Sequence, residues 1–222
     1  MQVQQVTYDD YLALIEGKTS VTRSRGGGIV FVEPHRIIKV FSQKKKNGFY
    51  FYRFLKNVEK LKKMQVPIME IQGAYHVQSK GLYYLIYAPL KGDTLRDYFA
   101  KNPQDMAKVR ELTEFFAHVH ALGIYFRAIH FGNIIVLPEG GFGLIDFGNM
   151  IIYKRSLNSW YRARNFRIFT QKNYGVDFQK LDEYGLPLFM EEYLAASKYS
   201  VLQKKVFYIW LSLYCRKFND FL

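Results

Sequence analysis

The sequence predicts an α+β protein with two lobes, a small β-rich lobe over residues 1–88 and a largely helical lobe over residues 89–222. Three observations support this fold class. Short runs of alternating or β-branched residues, which are typical of strands, crowd the first third of the chain. Apolar residues at helical spacing dominate the remainder. A single tight hairpin interrupts the helical part, as expected for an α+β arrangement.

In the first lobe, strands are predicted over 19–22, 28–32, 36–41, 71–77 and 82–87, with a basic helix over 49–64. The first two strands are separated by a glycine-rich segment that contains Gly26, Gly27 and Gly28. Consecutive glycines let the backbone approach a phosphate and present N–H groups to it. These glycines are therefore candidate nucleotide-binding residues, and a glycine-rich turn without a ligand is the alternative.

Lys39 lies in the third predicted strand, between apolar neighbours. Such a lysine must face either a polar cleft or solvent. In a cleft it would be the cation beside the phosphates of a nucleotide, the place that the strand lysine takes in kinases. On an edge strand it would only be solvated. Glu59, the acidic residue of the basic helix, is the candidate ion-pair partner of Lys39.

The second lobe opens with a helix whose cap is Asp93 or Thr94, both of which are residue types favoured at helix N-termini. Further helices are predicted over 106–122 and, after Asp146, over about 155–170, 177–196 and 198–218. Between them, residues 134–137 and 142–145 alternate in polarity around a Pro-Glu-Gly-Gly turn, which predicts a hairpin.

Asn133 immediately precedes this hairpin and Asp146 immediately follows it, so folding should bring the two side chains together. Their oxygens are ligands that Mg²⁺ prefers. In kinases, a catalytic-loop Asn and the Asp of D-F-G hold the Mg²⁺ ions that bridge ATP phosphates. We therefore assign Asn133 and Asp146 as metal ligands and catalytic-site residues. Two ordinary loop residues are the alternative, because Asn and Asp also favour turns.

One residue of the kinase pattern H-R-D-L-x-x-x-N is missing. Its catalytic Asp lies five residues before the Asn, and that position is Ala128 here. His130 lies three residues before Asn133 and is a candidate proton acceptor in place of the missing Asp. A structural histidine that is hydrogen-bonded to the loop backbone is the alternative.

The segment 128–133, A-I-H-F-G-N, resembles the D-L-H-P-G-N loop of small atypical kinases. The segment 85–87 with Gly92 and Leu95 resembles the hinge strand and following G-x-x-L of the same kinases. More narrowly, residues 125–150 and the R-x-R-N-x-R run at 162–167 resemble bacterial proteins labelled toluene-tolerance or lipopolysaccharide-core kinase-like. The resemblance covers roughly residues 20–170.

This resemblance implies a protein-kinase-like two-lobe fold with ATP and Mg²⁺ as cofactors, and it places Tyr87 among the nucleotide-binding residues. It also implies phosphate transfer to a sugar hydroxyl of the lipopolysaccharide core at the inner face of the cytoplasmic membrane. Because Ala128 departs from the pattern, a pseudokinase is the alternative. Such a protein would bind nucleotide or act as a scaffold without transferring phosphate.

The net charge is +13, from 32 basic and 19 acidic residues. Basic side chains concentrate in two clusters, at 44–63 and 154–167. Such charge favours anionic partners, and two solvated helix faces are the alternative. We expect ATP and an anionic glycolipid or membrane surface as partners, and no DNA. RNA is a weaker expectation because neither cluster comes with a recognised RNA-binding motif.

Several features predict a cytoplasmic protein that is soluble or peripheral on the inner membrane face. Cys215 is the single cysteine, which excludes an internal disulfide and fits a reducing compartment. No signal-peptide pattern begins the sequence. The longest uncharged apolar run, 206–214, is far shorter than a bilayer span. The aromatic residues of this run either insert at a membrane interface or, as we favour, pack into the helical lobe.

Overall fold

The computed structural model describes residues 1–23, 28–41, 47–167 and 185–214. Some predicted features lie outside these ranges: Gly26, Gly27, Lys44, Lys45, Lys46, Cys215 and parts of the last three predicted helices. The described residues form an α+β fold, which confirms the predicted class. They divide into two compact units, Met1–Leu90 and Lys91–Leu222. The sequence placed this boundary between residues 88 and 89.

The first unit is a mixed sheet with two helices. Its elements are β1 (Gln4–Gln5), α1 (Tyr8–Ile15), β2 (Ser20–Arg23), β3 (Ile29–Val32), β4 (Ile37–Phe41), α2 (Asn47–Lys63), β5 (Glu70–Val77) and β6 (Leu82–Ala88). The strand order is β1-β5-β6-β4-β3-β2. Only the β1–β5 pair of this described sheet is parallel. The predicted strands and the basic helix are all confirmed.

Successive side chains along a strand point to opposite faces of the sheet. In the first unit, each face packs against one helix. On one face, Ile38 and Val40 are buried in a cluster with Tyr11 of α1. On the other face, Phe41 meets Phe51 of α2, with ring centroids 5.5 Å apart. Lys39 alternates with Ile38 and Val40, and it therefore shares the face on which α2 lies.

The second unit combines short strands with five helices in its described part. Its elements are β7 (Asp93–Thr94), α3 (Leu95–Lys101), α4 (Met106–Ala121), β8 (Ile124–Phe126), β9 (Ile134–Val136), β10 (Phe142–Leu144), β11 (Met150–Ile152), α5 (Ser159–Phe166), α6 (Gly185–Ala196) and α7 (Val201–Tyr214). The strands form two antiparallel sheets, β10-β9-β7 and β11-β8. Thr94 caps α3 by accepting a hydrogen bond from the N–H of Asp97, as predicted for this helix start.

The helices of the second unit meet in an aromatic core. Phe166 of α5 lies at its centre, with its ring centroid 4.7 Å from that of Tyr193 and 5.6 Å from that of Phe116. Phe207 of α7 joins through Tyr193, at 5.8 Å. For Phe207, packing into the helical unit is therefore confirmed. Within the described ranges, no helix is both long enough and apolar enough to cross a membrane.

Gly92 allows the backbone before β7 to lie very close to the backbone of Val136 in β9. Its φ is +124°, and a Cβ at this position would collide with the backbone carbonyl oxygen of Val136. The next residue, Asp93, pairs directly with Val136. Both the backbone conformation and the close approach therefore require glycine here.

We predict that Gly92→Ala lowers the free energy of unfolding by about 3 kcal/mol, because it adds a backbone collision to the strain of a positive φ. Gly141→Ala is the matched control in the same unit. Gly141 also has a positive φ, +76°, but a Cβ there meets nothing within 4 Å, so strain alone should cost about 1–2 kcal/mol. Urea unfolding of both variants measures the difference. Equal losses would show that the approach to Val136 does not require glycine.

Candidate functional site

Two loops run between the two small sheets of the second unit. The first loop, residues 127–133, leads from β8 to β9, and the second loop, residues 145–149, leads from β10 to β11. Because β8 pairs with β11 and β9 pairs with β10, both ends of each loop are fixed by strand pairing. The hairpin predicted from sequence is confirmed, and it is this hairpin that brings the loops together.

Asn133 and Asp146 lie at the open end of the hairpin. The last paired residues of the two strands are Ile134 and Leu144. Beyond them, the N–H of Ile145 donates to the carbonyl oxygen of Asn133 at 3.1 Å. Asp146 follows immediately, so the two predicted ligands occupy neighbouring positions on adjacent loops.

The orientation of the Asn133 amide is fixed by its surroundings. The residue is only 8% exposed, and its Nδ2 donates to the carbonyl oxygen of Ala128 at 2.9 Å. A carbonyl oxygen can only accept, so the amide nitrogen must be the atom that faces Ala128. Across the described part of the chain, no group donates a hydrogen bond to the remaining oxygen, Oδ1. Since buried acceptors normally have a partner, Oδ1 is suited to binding a cation.

Asp146 has an unusual backbone. Its φ of 55° and ψ of 52° place it in the left-handed region, which Asp tolerates better than most residues. The residue is exposed, whereas the following Phe147 is fully buried. The chain thus turns sharply, with the carboxylate outside and the phenyl ring in the core. Such conformations cost free energy and cluster at functional sites.

The chemistry of the two side chains is of the kind that would suit Mg²⁺ bound together with a nucleotide. The amide oxygen of Asn133 and the carboxylate of Asp146 are hard ligands on adjacent loops, and Mg²⁺ commonly takes one or two protein oxygens together with phosphates and water. In the described ranges, no group of three or more His, Cys, Asp or Glu side chains could hold a metal without such help.

His130 is held by the first loop itself. Its Nδ1 accepts a hydrogen bond from the N–H of Gly132 at 3.2 Å. A neutral imidazole that accepts at Nδ1 carries its proton on Nε2, so it has no lone pair left for a substrate proton. This bond favours the structural role that the sequence left open. The neighbouring Ala128 contributes only a methyl group.

Arg96 is a neighbour of the first loop that the sequence did not single out. A Cβ at Gly132 would lie 3.3 Å from a guanidinium nitrogen of Arg96, about as far as from the His130 ring. The residue belongs to α3 and is half-buried. It therefore adds a positive charge beside the loop. No sequence pattern marks Arg96, because it is the packing of α3 against the loop that brings the residue there.

Within the first unit, Lys39 is half-buried and its ammonium lies 5.2 Å from the centroid of the Phe54 ring on α2. Glu59, the candidate partner, has a 58% exposed side chain that accepts from the N-terminal ammonium of Met1 at 3.0 Å. The structure thus gives Glu59 a different partner. Asn57, which the sequence analysis did not single out, is only 4% exposed and lies one turn beyond Phe54.

Two other predicted nucleotide residues fall in described parts of the first unit. Gly28 is buried just before β3. Tyr87 is buried in β6, where it pairs with Ile37 on one side and Ile71 on the other. Its position near the end of β6 is where the resemblance places the hinge strand.

A buried polar chain fixes the start of the first loop. Asn165 donates from Nδ2 to the carbonyl oxygen of Phe126 at 2.7 Å and accepts from the Phe126 N–H at 3.3 Å. Phe126 is the last residue of β8, directly before the loop. The same Oδ1 lies 3.1 Å from Nε2 of His120, which is completely buried.

The donor and acceptor roles in this chain follow from Asn165. Because its Oδ1 accepts, Nε2 of His120 must donate, and Nδ1 of His120 then accepts from the Tyr193 hydroxyl at 2.7 Å. Arg162 donates to the Tyr193 oxygen at 3.2 Å. Every polar atom along this path has a partner, which is what a buried network requires.

Arg162 and Asn165 belong to the R-x-R-N-x-R run, so the structure explains half of that motif as packing. Arg162 is 4% exposed and also donates to the Leu157 carbonyl and to the hydroxyls of Ser156 and Ser197. This corrects one part of the second basic cluster: Arg162 is not available to an anionic surface. Arg164 and Arg167 of the same run are exposed.

His120 is neutral in the folded protein. Burial lowers the pKa of His120 from 6.5 to about 3, and the positive charge of Arg162 acts in the same direction. The unfolded chain has no such environment, so its histidine binds a proton near pH 6.5. Between about pH 6.5 and pH 3, the unfolded state therefore binds a proton at His120 that the folded state does not bind.

The chain was compared with family models, curated proteins and solved structures. No family model matches, and no curated protein matches. Solved structures do match, among them the crystal structure of monomeric WbdD, with 14% sequence identity and a TM-score of 0.45 over 75% of this chain and 44% of that one. The chain thus spans less than half of the protein it matches. At this TM-score the similarity adds nothing to what the chain's own geometry shows.

We predict that the free energy of unfolding includes the full contribution of neutral His120 above about pH 6.5. On acidification toward pH 3 this contribution is lost, by up to about 1.4 kcal/mol per pH unit. His120→Gln should be less stable at neutral pH, because a flexible amide replaces the imidazole, but its stability should change less between pH 6 and 4. His118→Gln, an exposed position on the same helix, is the control and should keep the wild-type pH profile. Denaturant unfolding at several pH values measures this. A profile unchanged in His120→Gln would mean that another group causes the acid sensitivity.

Proposed function

We propose that the protein is kinase-like, binds ATP with Mg²⁺, and transfers phosphate to a sugar hydroxyl of the lipopolysaccharide core. The observation that carries this proposal is the Asn133 side chain beside Asp146: the residue is buried, its Nδ2 is held by Ala128, and its Oδ1 receives no hydrogen bond from the described residues. An amide oxygen in this position is able to bind a cation. The spacing of both residues also matches the kinase loop and D-F-G motifs.

Each site residue has a distinct role in this proposal. Asn133 and Asp146 would hold Mg²⁺. In the first unit, Lys39 would contact the nucleotide phosphates, and Gly26, Gly27, Gly28 and Tyr87 are the other candidate nucleotide-binding residues. Bound ATP with Mg²⁺ supplies the phosphoryl group to be transferred. Arg96, beside the first loop, would add a positive charge that favours negative charge developing there.

Transfer without a carboxylate at position 128 is chemically reasonable. General-base catalysis contributes roughly 10²–10⁴-fold to a rate, whereas phosphoryl transfer depends mainly on positioning and electrostatic stabilisation. Removal of the base therefore slows a kinase without abolishing its other contributions. The expected activity is a slow transfer.

A pseudokinase is the second candidate, and a specific observation favours it. Ala128 offers no base, and the hydrogen bond from Gly132 occupies the Nδ1 lone pair of His130. Neither residue can then accept the proton of a sugar hydroxyl. In this case the chain would bind nucleotide as a scaffold or switch, without transfer.

The proposed acceptor places the protein at an anionic glycolipid on the inner face of the cytoplasmic membrane. Exposed basic residues support this, since they attract an anionic surface. Lys56 and Lys63 lie on the outer side of α2, and Arg164 and Arg167 lie at the C-terminal end of α5. No DNA or RNA partner is proposed.

We predict that ATP with Mg²⁺ at about 100 times its Kd stabilises the protein by about 2.7 kcal/mol, which corresponds to a rise in Tm of about 5–10 °C for a chain of this size. Asp146→Ala should abolish the shift because it removes a metal ligand. Glu139→Ala is the control, since Glu139 is an exposed carboxylate in the turn at the other end of the hairpin. Thermal shift with and without Mg²⁺ tests this. No shift at millimolar nucleotide, or an equal shift in Asp146→Ala, would remove the proposed site.

We predict that Ala128→Asp raises the rate of phosphate transfer by about 10²-fold or more, because it restores a general base. His130→Ala should leave the rate within about twofold if His130 is structural, whereas a larger loss with nucleotide binding intact would make it the base. Transfer of labelled γ-phosphate to purified core oligosaccharide is the measurement. Nucleotide binding with no transfer, in wild type and Ala128→Asp alike, would establish the pseudokinase.

A further inference from the structure

Helix α7 exposes an aliphatic stripe on its outer side. The stripe consists of Leu202, Val206, Ile209 and Leu213, which are 70%, 37%, 59% and 63% exposed. Their spacing of four, three and four residues places them on one face of the helix. Phe207 and Leu211 on the opposite face are fully buried. The helix is therefore apolar on both sides, and within the described part of the chain only one side packs against other elements.

Aromatic rings and a cation flank the stripe. Trp210 stacks on Tyr214 with ring centroids 6.2 Å apart, and Tyr214 meets Trp160 of α5 at 6.0 Å. The guanidinium of Arg164 lies 5.0 Å from the Trp160 ring. Tryptophan and tyrosine favour the boundary between an apolar phase and water, because each combines an apolar ring with a polar group.

The charged residues of α7 itself are basic, while Glu191 of α6 lies near Tyr208 of α7. Lys204 and Lys205 lie on α7, and the helix contains no acidic residue. With a net charge of +13 on the chain, two copies repel each other, so a second copy is a poor occupant of this face. RNA is also a poor occupant, because it is bound through phosphate contacts and base stacking, to which four aliphatic side chains contribute nothing.

We propose that this surface, the α7 stripe with Trp160, Trp210, Tyr214 and Arg164, docks on an anionic lipid bilayer. The aliphatic side chains enter the boundary between headgroups and acyl chains. The aromatic rings lie at headgroup level, and Lys205 and Arg164 contact anionic headgroups. This inference deepens the membrane location in the proposed function and rests on it, but the docking itself needs no nucleotide.

The experiment measures binding to vesicles of phosphatidylcholine with about 30% phosphatidylglycerol, without ATP and at low salt. The test variant is Ile209→Asp with Leu213→Asp. The control is Val21→Asp with Val32→Asp, which makes the same charge change at two exposed valines of the first unit, 63% and 54% exposed. We expect the test variant to lose binding about tenfold or more, and the control to stay within about threefold of wild type, because only the stripe contributes apolar contact.

A fluorescence measurement locates the contact independently. Trp160 and Trp210 are the two tryptophans of the chain, so Trp160→Phe leaves Trp210 as the single indole. Its emission should shift to the blue when the anionic vesicles are added, and acyl-chain quenchers should reduce it. An unchanged emission under conditions where the protein sediments with vesicles would place the contact elsewhere.

Several outcomes would overturn the docking proposal. They are equal binding of test and control variants, association with RNA and not with vesicles, and a wild-type dimer that Ile209→Asp with Leu213→Asp converts to monomer. If that double variant does not fold by circular dichroism, Leu202→Asp at the most exposed stripe position takes its place. The thermal shift with ATP and Mg²⁺ is measured on the same samples. Stripe-dependent vesicle binding without any nucleotide shift would refute the proposed function and leave the docking surface standing.

Discussion

The pairing of β8 with β11 and of β9 with β10 is the constraint on which the candidate site depends. These strands are only three residues long, yet together they fix both ends of two loops. Short strands suffice because each pair closes a small part of the chain and is buried against the helices. A loop held in this way can keep Asp146 in a left-handed conformation, since the surrounding pairing outweighs the local strain.

Support for this arrangement comes from deep in the helical unit. Asn165 bonds both the N–H and the carbonyl of Phe126, so the last residue of β8 has its hydrogen bonds satisfied at the point where regular pairing ends. From Asn165, hydrogen bonds continue to His120, from His120 to Tyr193, and from Tyr193 to Arg162. Packing of α4, α5 and α6 is thereby coupled to the position of the first loop.

Local features of this fold could be predicted from the sequence, because their causes are local. The Pro-Gly turn with alternating flanks predicted the hairpin, and Thr94 predicted the start of α3. The buried chain could not be predicted, since Asn165 and Tyr193 lie 45 and 73 residues from His120. Nor could the partner of Glu59, which is the N-terminal ammonium. The orientation of the Asn133 amide depends on one carbonyl of a folded loop, and no sequence pattern records that.

The double-sided apolar character of α7 also sets how the protein behaves in solution without lipid. Its outer stripe is the kind of surface that drives self-association, and electrostatic repulsion between chains of charge +13 opposes that association. Added salt screens this repulsion over distances beyond about 8 Å at physiological ionic strength and leaves apolar attraction intact. The protein should thus associate least in dilute buffer and most at high salt. A protein whose solubility rises with added salt would behave in the opposite way.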